Sequence, residues 1–263
     1  MKNTFLIVLT LMFLLMFPFC NNRETPFKEE PKGKISFKFE HLMNGIPVKY
    51  DTLCYTNEAG NTFMINQIQY FISDIKLHNT NGKEYKLNDF YHYVDNDIPA
   101  SLIWMPSDSI SAGTYDKIIF TFGFSGEKNK SRMFVNAPES NMEWPDMLGG
   151  GYHYMKINLK FEDSTQYLQN FNFHLGIGQN YDVSGNITGF VDNSFEVSIP
   201  DIQFDIEKNK TKTIKLNMNI ENWFKSPNKF NFCNWNNCIM QKQAGIKQAV
   251  ENGKSVFTAS NTN

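Results

Sequence analysis

The sequence predicts an all-β fold: an antiparallel β-sandwich with a short C-terminal helix. Three observations lead there. Runs of alternating apolar and polar residues recur from residue 35 to residue 220, the signature of strands with one buried face. Aromatic residues make up 15% of the chain (24 Phe, 11 Tyr, 4 Trp), and such side chains favour pleated, half-buried surfaces. Helical spacing is confined to one stretch near the end.

Taken in order, the chain begins with Met1-Lys2-Asn3 and an uncharged apolar run, Thr4 to Phe19, that stops at Cys20. The run is short of the about 20 residues that a membrane-spanning helix needs, and an abruptly polar stretch comes after it. Residues 1–19 therefore read as an export signal peptide. Cys20 stands where a bacterial lipoprotein carries its acylated (palmitate-bearing) first residue, although Pro18 and Phe19 occupy positions where small residues are usual. An ordinary cleaved signal or an uncleaved anchor is the alternative. Residues 20–34, with two prolines and mixed charge, read as a lipid-anchored tether. No linker divides the remainder of the chain, so residues 35–263 are expected to form one domain.

Within that domain Ile35, Phe37 and Phe39 alternate with Ser36, Lys38 and Glu40. Tyr70 to His78 predicts a second strand, and Asn79-Thr80-Asn81-Gly82 a turn into Glu84-Tyr85-Lys86. Ile118, Phe120 and Phe122 alternate after the Ala112-Gly113 turn. Met155, Ile157, Leu159 and Phe161 against Lys156, Asn158, Lys160 and Glu162 form the clearest case. Ile202, Phe204 and Ile206, then Ile214, Leu216, Met218 and Ile220, repeat the pattern. One apolar face per strand, many times over, describes sheets packed face to face. Ile239, Ala244, Ile246 and Val250 carry helical spacing, with Gly253 as the stop.

The composition also excludes functions. A net charge of −2 with no basic stripe argues against nucleic-acid binding. There is no GxSxG, HExxH, phosphate-cradling loop or dinucleotide fingerprint, and no enzymatic activity is expected. Gly149-Gly150-Gly151 leads into a strand rather than a helix, so it reads as a tight connection, not an anion site. The densest unusual patch runs from Met142 to Met155 and contains Trp144 and His153. Extended backwards, the alternation of the strand after it points His153 toward the core, where an imidazole must be hydrogen-bonded or metal-bound. His174, in Phe171-Asn172-Phe173-His174-Leu175-Gly176, falls on the opposite face, which counts against a shared site unless a bulge at Gly176 re-aims it. His41, His78 and His92 read as solvated. Cys233 and Cys238, bracketing four residues in an exported chain, predict a local disulfide, with a thiolate metal pair as the competing reading. Cys54 reads as a buried free thiol.

The segments Ile35–His41, Tyr55–Asn61, Tyr70–Leu77, Met142-Glu143-Trp144-Pro145, Gly149–Lys156 and Phe173–Gly176 occur in an order that resembles the MbnP-like family, as do Ile239-Met240-Gln241 and Glu251–Phe257. These are exported proteins, many of them bacterial lipoproteins. The resemblance covers nearly all of residues 35–257, and it implies copper. Relatives bind the ion through histidines and a tryptophan oxidised to kynurenine by a partner di-haem peroxidase. The positions that match here are Trp144, His153 and His174. Two functions are thus expected to compete. One is a copper-binding protein tethered in the bacterial cell envelope, at the outer membrane or the periplasmic face. The other is a structural or interaction lipoprotein of the same fold that carries no metal.

Overall fold

A computed structural model describes residues 30–200 and 202–262; the expected signal peptide over residues 1–19 and Cys20 lie outside the described residues. The alternating runs become the strands that build two sheets. We label the principal ones β1 (Lys32–Met43), β2 (Thr62–Asn79), β3 (Gly113–Phe122), β4 (Met155–Glu162), β5 (Leu168–Leu175), β6 (Phe195–Ile199), β7 (Thr211–Asn219) and β8 (Phe257–Asn261). The first sheet has the order β8–β7–β1, and short strands pair along the free edge of β1. The second has the order β5–β4–β2–β3–β6.

All pairs along the second sheet are antiparallel, as the sequence predicts. The first sheet departs from that expectation, because β1 and β7 run parallel, with Phe37 opposite Ile214 and Phe39 opposite Leu216. Parallel neighbours need a crossover rather than a hairpin. Here the whole second sheet intervenes between β1 and β7 in the chain. The inner faces meet through aromatic rings, Phe39 on Tyr70 and Phe257 on Phe122. The columns Ile35/Phe37/Phe39 and Met155/Ile157/Leu159/Phe161 are buried as the period-two reading requires.

Two boundaries shift. Strand β1 starts at Lys32, so the tether expected over residues 20–34 gives way to ordered strand three residues early. The helix α1 spans Gln243–Gly253, so Ile239 and Met240 precede it rather than open it. Gly253 ends α1, but not by a left-handed turn. A Cβ there would meet Phe195 Cζ at 2.5 Å and Trp223 Cζ3 at 2.7 Å, so glycine is required for close packing.

Candidate functional site

The site is assembled where the segment before β4 folds against the ends of β4 and β5. Two single-turn 3-10 helices, Glu139–Met142 and Asp146–Leu148, flank Trp144. Gly149, Gly150 and Gly151 then take φ values of 113°, 65° and 79°, backbone that L side chains rarely adopt. This reverses the chain, so that the Trp144 amide donates to Gly151 O and the His153 amide donates to Met142 O. The triple glycine is the tight connection that the sequence suggests.

Trp144 is fully buried, and its indole N–H donates to Leu148 O at 3.2 Å. Its ring lies over Gly176, where a Cβ would stand 2.6 Å from Trp144 Cε3. Gly176 therefore admits the tryptophan. It does not re-aim His174, which stays on the outward face of β5, opposite Lys156 in register. His153 comes to it instead. Regular strand begins only at Met155, so the alternation does not reach back to residue 153. The His153 ring packs between Trp144, at 4.6 Å between centroids, and His174, at 5.2 Å. The expectation of His153 inward and His174 outward, hence apart, is corrected: the folded-back segment covers the outer face, and both rings are buried on it together.

Each imidazole spends one nitrogen on the protein. His153 Nδ1 donates to Met142 O at 3.0 Å, and His174 Nε2 donates to Asn158 Oδ1 at 2.8 Å. The other two nitrogens, His153 Nε2 and His174 Nδ1, are buried without any hydrogen-bond partner. Leaving a buried acceptor unmet costs about 1–3 kcal/mol, and here two occur in adjacent rings. Burial is the main force holding His153 down, to about 4, with the Lys156 charge adding to it and the Met142 and Glu143 carbonyls opposing it. Burial likewise pushes His174 well below the ordinary histidine range, assisted by His153 and Lys156. Both rings are neutral at pH 7, the state in which imidazole ligates metals. Lys156 itself is held in place by donating to Asn141 O at 2.6 Å.

The chemistry of these donors is that of a borderline transition-metal ion. Two neutral imidazole nitrogens without a carboxylate suit copper or zinc rather than calcium or magnesium. The two rings lie 5.2 Å apart between centroids, and His153 Nε2 and His174 Nδ1 are the nitrogens that would hold such an ion. Among the described residues, no group of three or more His, Cys, Asp or Glu is placed to hold a metal ion. Unmodified Trp144 supplies no lone pair, since indole is a donor only.

The sequence model of the MbnP family matches residues 32–241. The chain belongs to the MbnP family. Among solved structures, MbnP from Methylosinus trichosporium aligns with a TM-score of 0.55 at 11% identity, covering 88% of this chain and 99% of that one. At that identity the likeness speaks for the fold. No curated protein matches the chain.

Elsewhere in this MbnP-family chain the structure revises the sequence reading. His41 and His92 are not solvated. His41 is buried, hydrogen-bonded through Nδ1 to the Tyr50 hydroxyl, and His92 is sandwiched between Phe39 and Trp104. His78 is half-buried too, with its Nδ1 2.6 Å from Asp116 Oδ1. Cys54 is exposed rather than buried. Cys233 and Cys238 are free thiols, and no disulfide joins them. The chain between them turns through left-handed Asn236 and Asn237, and Cys233 Sγ accepts from Asn61 Nδ2 instead. Asn158, Lys156 and the Met142 carbonyl are site residues that the pattern did not single out. The first two read as the polar face of an ordinary strand, and a carbonyl leaves no trace in sequence.

Proposed function

We propose that this chain is an exported, membrane-tethered copper-binding protein that sequesters or delivers copper outside the cytoplasm. One observation carries the reading: two adjacent buried imidazoles, each committed through one nitrogen, each leave the other buried and unpaired. His153 and His174 hold the ion. Trp144, packed on His153, would become a donor if a partner di-haem peroxidase, using peroxide, cleaved the indole C2–C3 bond and C2 left as formate, because the resulting kynurenine has an amine and a carbonyl with the lone pairs that indole lacks. Bound copper satisfies the two orphan nitrogens and offsets their desolvation. The chain performs no catalysis in this reading. Cys20 carries the lipid that fixes it to the envelope membrane.

The competing reading, an interaction lipoprotein without metal, draws on the exposed apolar side chains Met147, Val183 and Phe190. Metal analysis with intact mass on the natively exported protein separates the two. The copper reading predicts one copper per chain, an acyl-sized mass increment and a mass increase for tryptophan oxidation. Metal-free protein with unmodified Trp144 would favour the interaction module.

A further inference from the structure

We propose that Asn158 is a positioning residue that selects the metal-binding nitrogen of His174, so that the ion is held by His153 Nε2 and His174 Nδ1. This rests on the copper reading above and adds to it the atoms and the residue that enforce them.

An imidazole presents a lone pair on one nitrogen only when the other carries the proton, and the partner of that N–H decides which is which. For His153 the partner is Met142 O, a carbonyl that can only accept, so Nδ1 is protonated and Nε2 is free to ligate. For His174 the partner is a side-chain amide, which could face the ring either way. Its orientation is coupled to a second amide one residue further out: Asn158 Nδ2 donates to Gln67 Oε1 at 3.3 Å, and Asn158 Oδ1 accepts from His174 Nε2 at 2.8 Å. The opposite His174 tautomer would put a lone pair against Oδ1 at that distance. Relieving it would require both amides to turn.

The three residues lie on adjacent strands, with His174 diagonal to Asn158. Asn158 is on β4, His174 on β5 and Gln67 on β2, with Asn158 paired to Gln67 in register. The relay is therefore part of the sheet and does not depend on a loop. Its consequence is a bare Nδ1 buried beside a bare Nε2, which is the orphan pair observed.

The test uses the exported full chain, labelled with 15N-histidine and stripped of copper, and compares wild type with Asn158→Leu, Asn158→Asp and Gln67→Leu. Nitrogen chemical shifts report the tautomer without metal. Chelator competition with copper in either oxidation state reports affinity, and thermal melting reports folding. Wild type should show His153 protonated on Nδ1 and His174 on Nε2. Asn158→Leu should mix the His174 tautomers and weaken copper binding about 10–100-fold. Asn158→Asp, which keeps the acceptor, should retain both properties. Gln67→Leu, which leaves Asn158 in place, should fall between them and serves if Asn158→Leu fails to fold. The proposal is overturned if wild-type His174 carries its proton on Nδ1. It is also overturned if Asn158→Leu keeps wild-type tautomer and affinity, or if Asn158→Asp loses copper as fully as Asn158→Leu. Wild type that shows the stated tautomers but binds no copper fails differently, by refuting the copper reading itself.

Discussion

Gly176 shows how one missing methyl group positions a site. A β-carbon there would lie 2.6 Å from the Trp144 ring, and that ring packs on His153. Gly176→Ala should displace the indole, costing about 1–3 kcal/mol by overpacking and altering tryptophan fluorescence, as denaturant titration on one sample would report. Unchanged stability and spectrum would mean that the ring has room to spare. Glycine in Phe173-His174-Leu175-Gly176 was visible in the sequence as a peculiarity, but its reason was not, because Trp144 lies far back in the chain and meets it only in the fold. Trp144, His153 and His174 were legible as candidates through resemblance. Their meeting was not, since alternation placed the two histidines on opposite faces. The rule lapsed at Tyr152 to Tyr154, where three positive-φ glycines have just turned the chain and the ladder has not yet begun.

At the scale of elements, β4 does two jobs with its two faces. Met155, Ile157, Leu159 and Phe161 fill the core, while Lys156 and Asn158 face the histidine pair. The apolar column was easy to read because burial enforces it. The polar column carries no periodic signal that distinguishes a site from a solvated surface. Lys156 places a cation opposite His174 in register, and its charge helps to hold both imidazoles neutral. If copper binds between the imidazoles, Lys156→Gln should tighten binding roughly tenfold, since a unit charge a few ångströms away at an effective dielectric near 20 is worth a few kcal/mol before partial solvent screening. Competition titration would reveal it. Weaker binding would show that Lys156 supports the site more than it repels the ion.

For the whole molecule, buried histidines link stability to pH. Burial holds His41, His92 and His153 near 4, against an ordinary 6.5. The unfolded chain takes up these protons first, so stability is full above about pH 6.5 and declines as pH falls toward 4. Denaturation midpoints of metal-free protein should fall steadily across that window, and a flat profile would mean that the rings are open to water. The fold class, the run of strands and the aromatic core were readable from period-two patterning. The parallel pairing of β1 with β7 was not, because a strand's pattern names its faces and not its neighbours. The proposed membrane attachment rests on Cys20, so Cys20→Ala should move the protein from the membrane fraction to the soluble one or leave unprocessed precursor; wild-type fractionation and migration would remove the lipid anchor from the proposal. The central claim concerns His153 and His174, and equilibrium copper competition on wild type, His153→Ala, His174→Ala and His78→Ala tests it most directly. One tightly bound copper in wild type and His78→Ala, and none in the other two, is the expected result. No stoichiometric copper in wild type, with His153→Ala and His174→Ala merely unfolding earlier, would make these histidines structural and contradict the account.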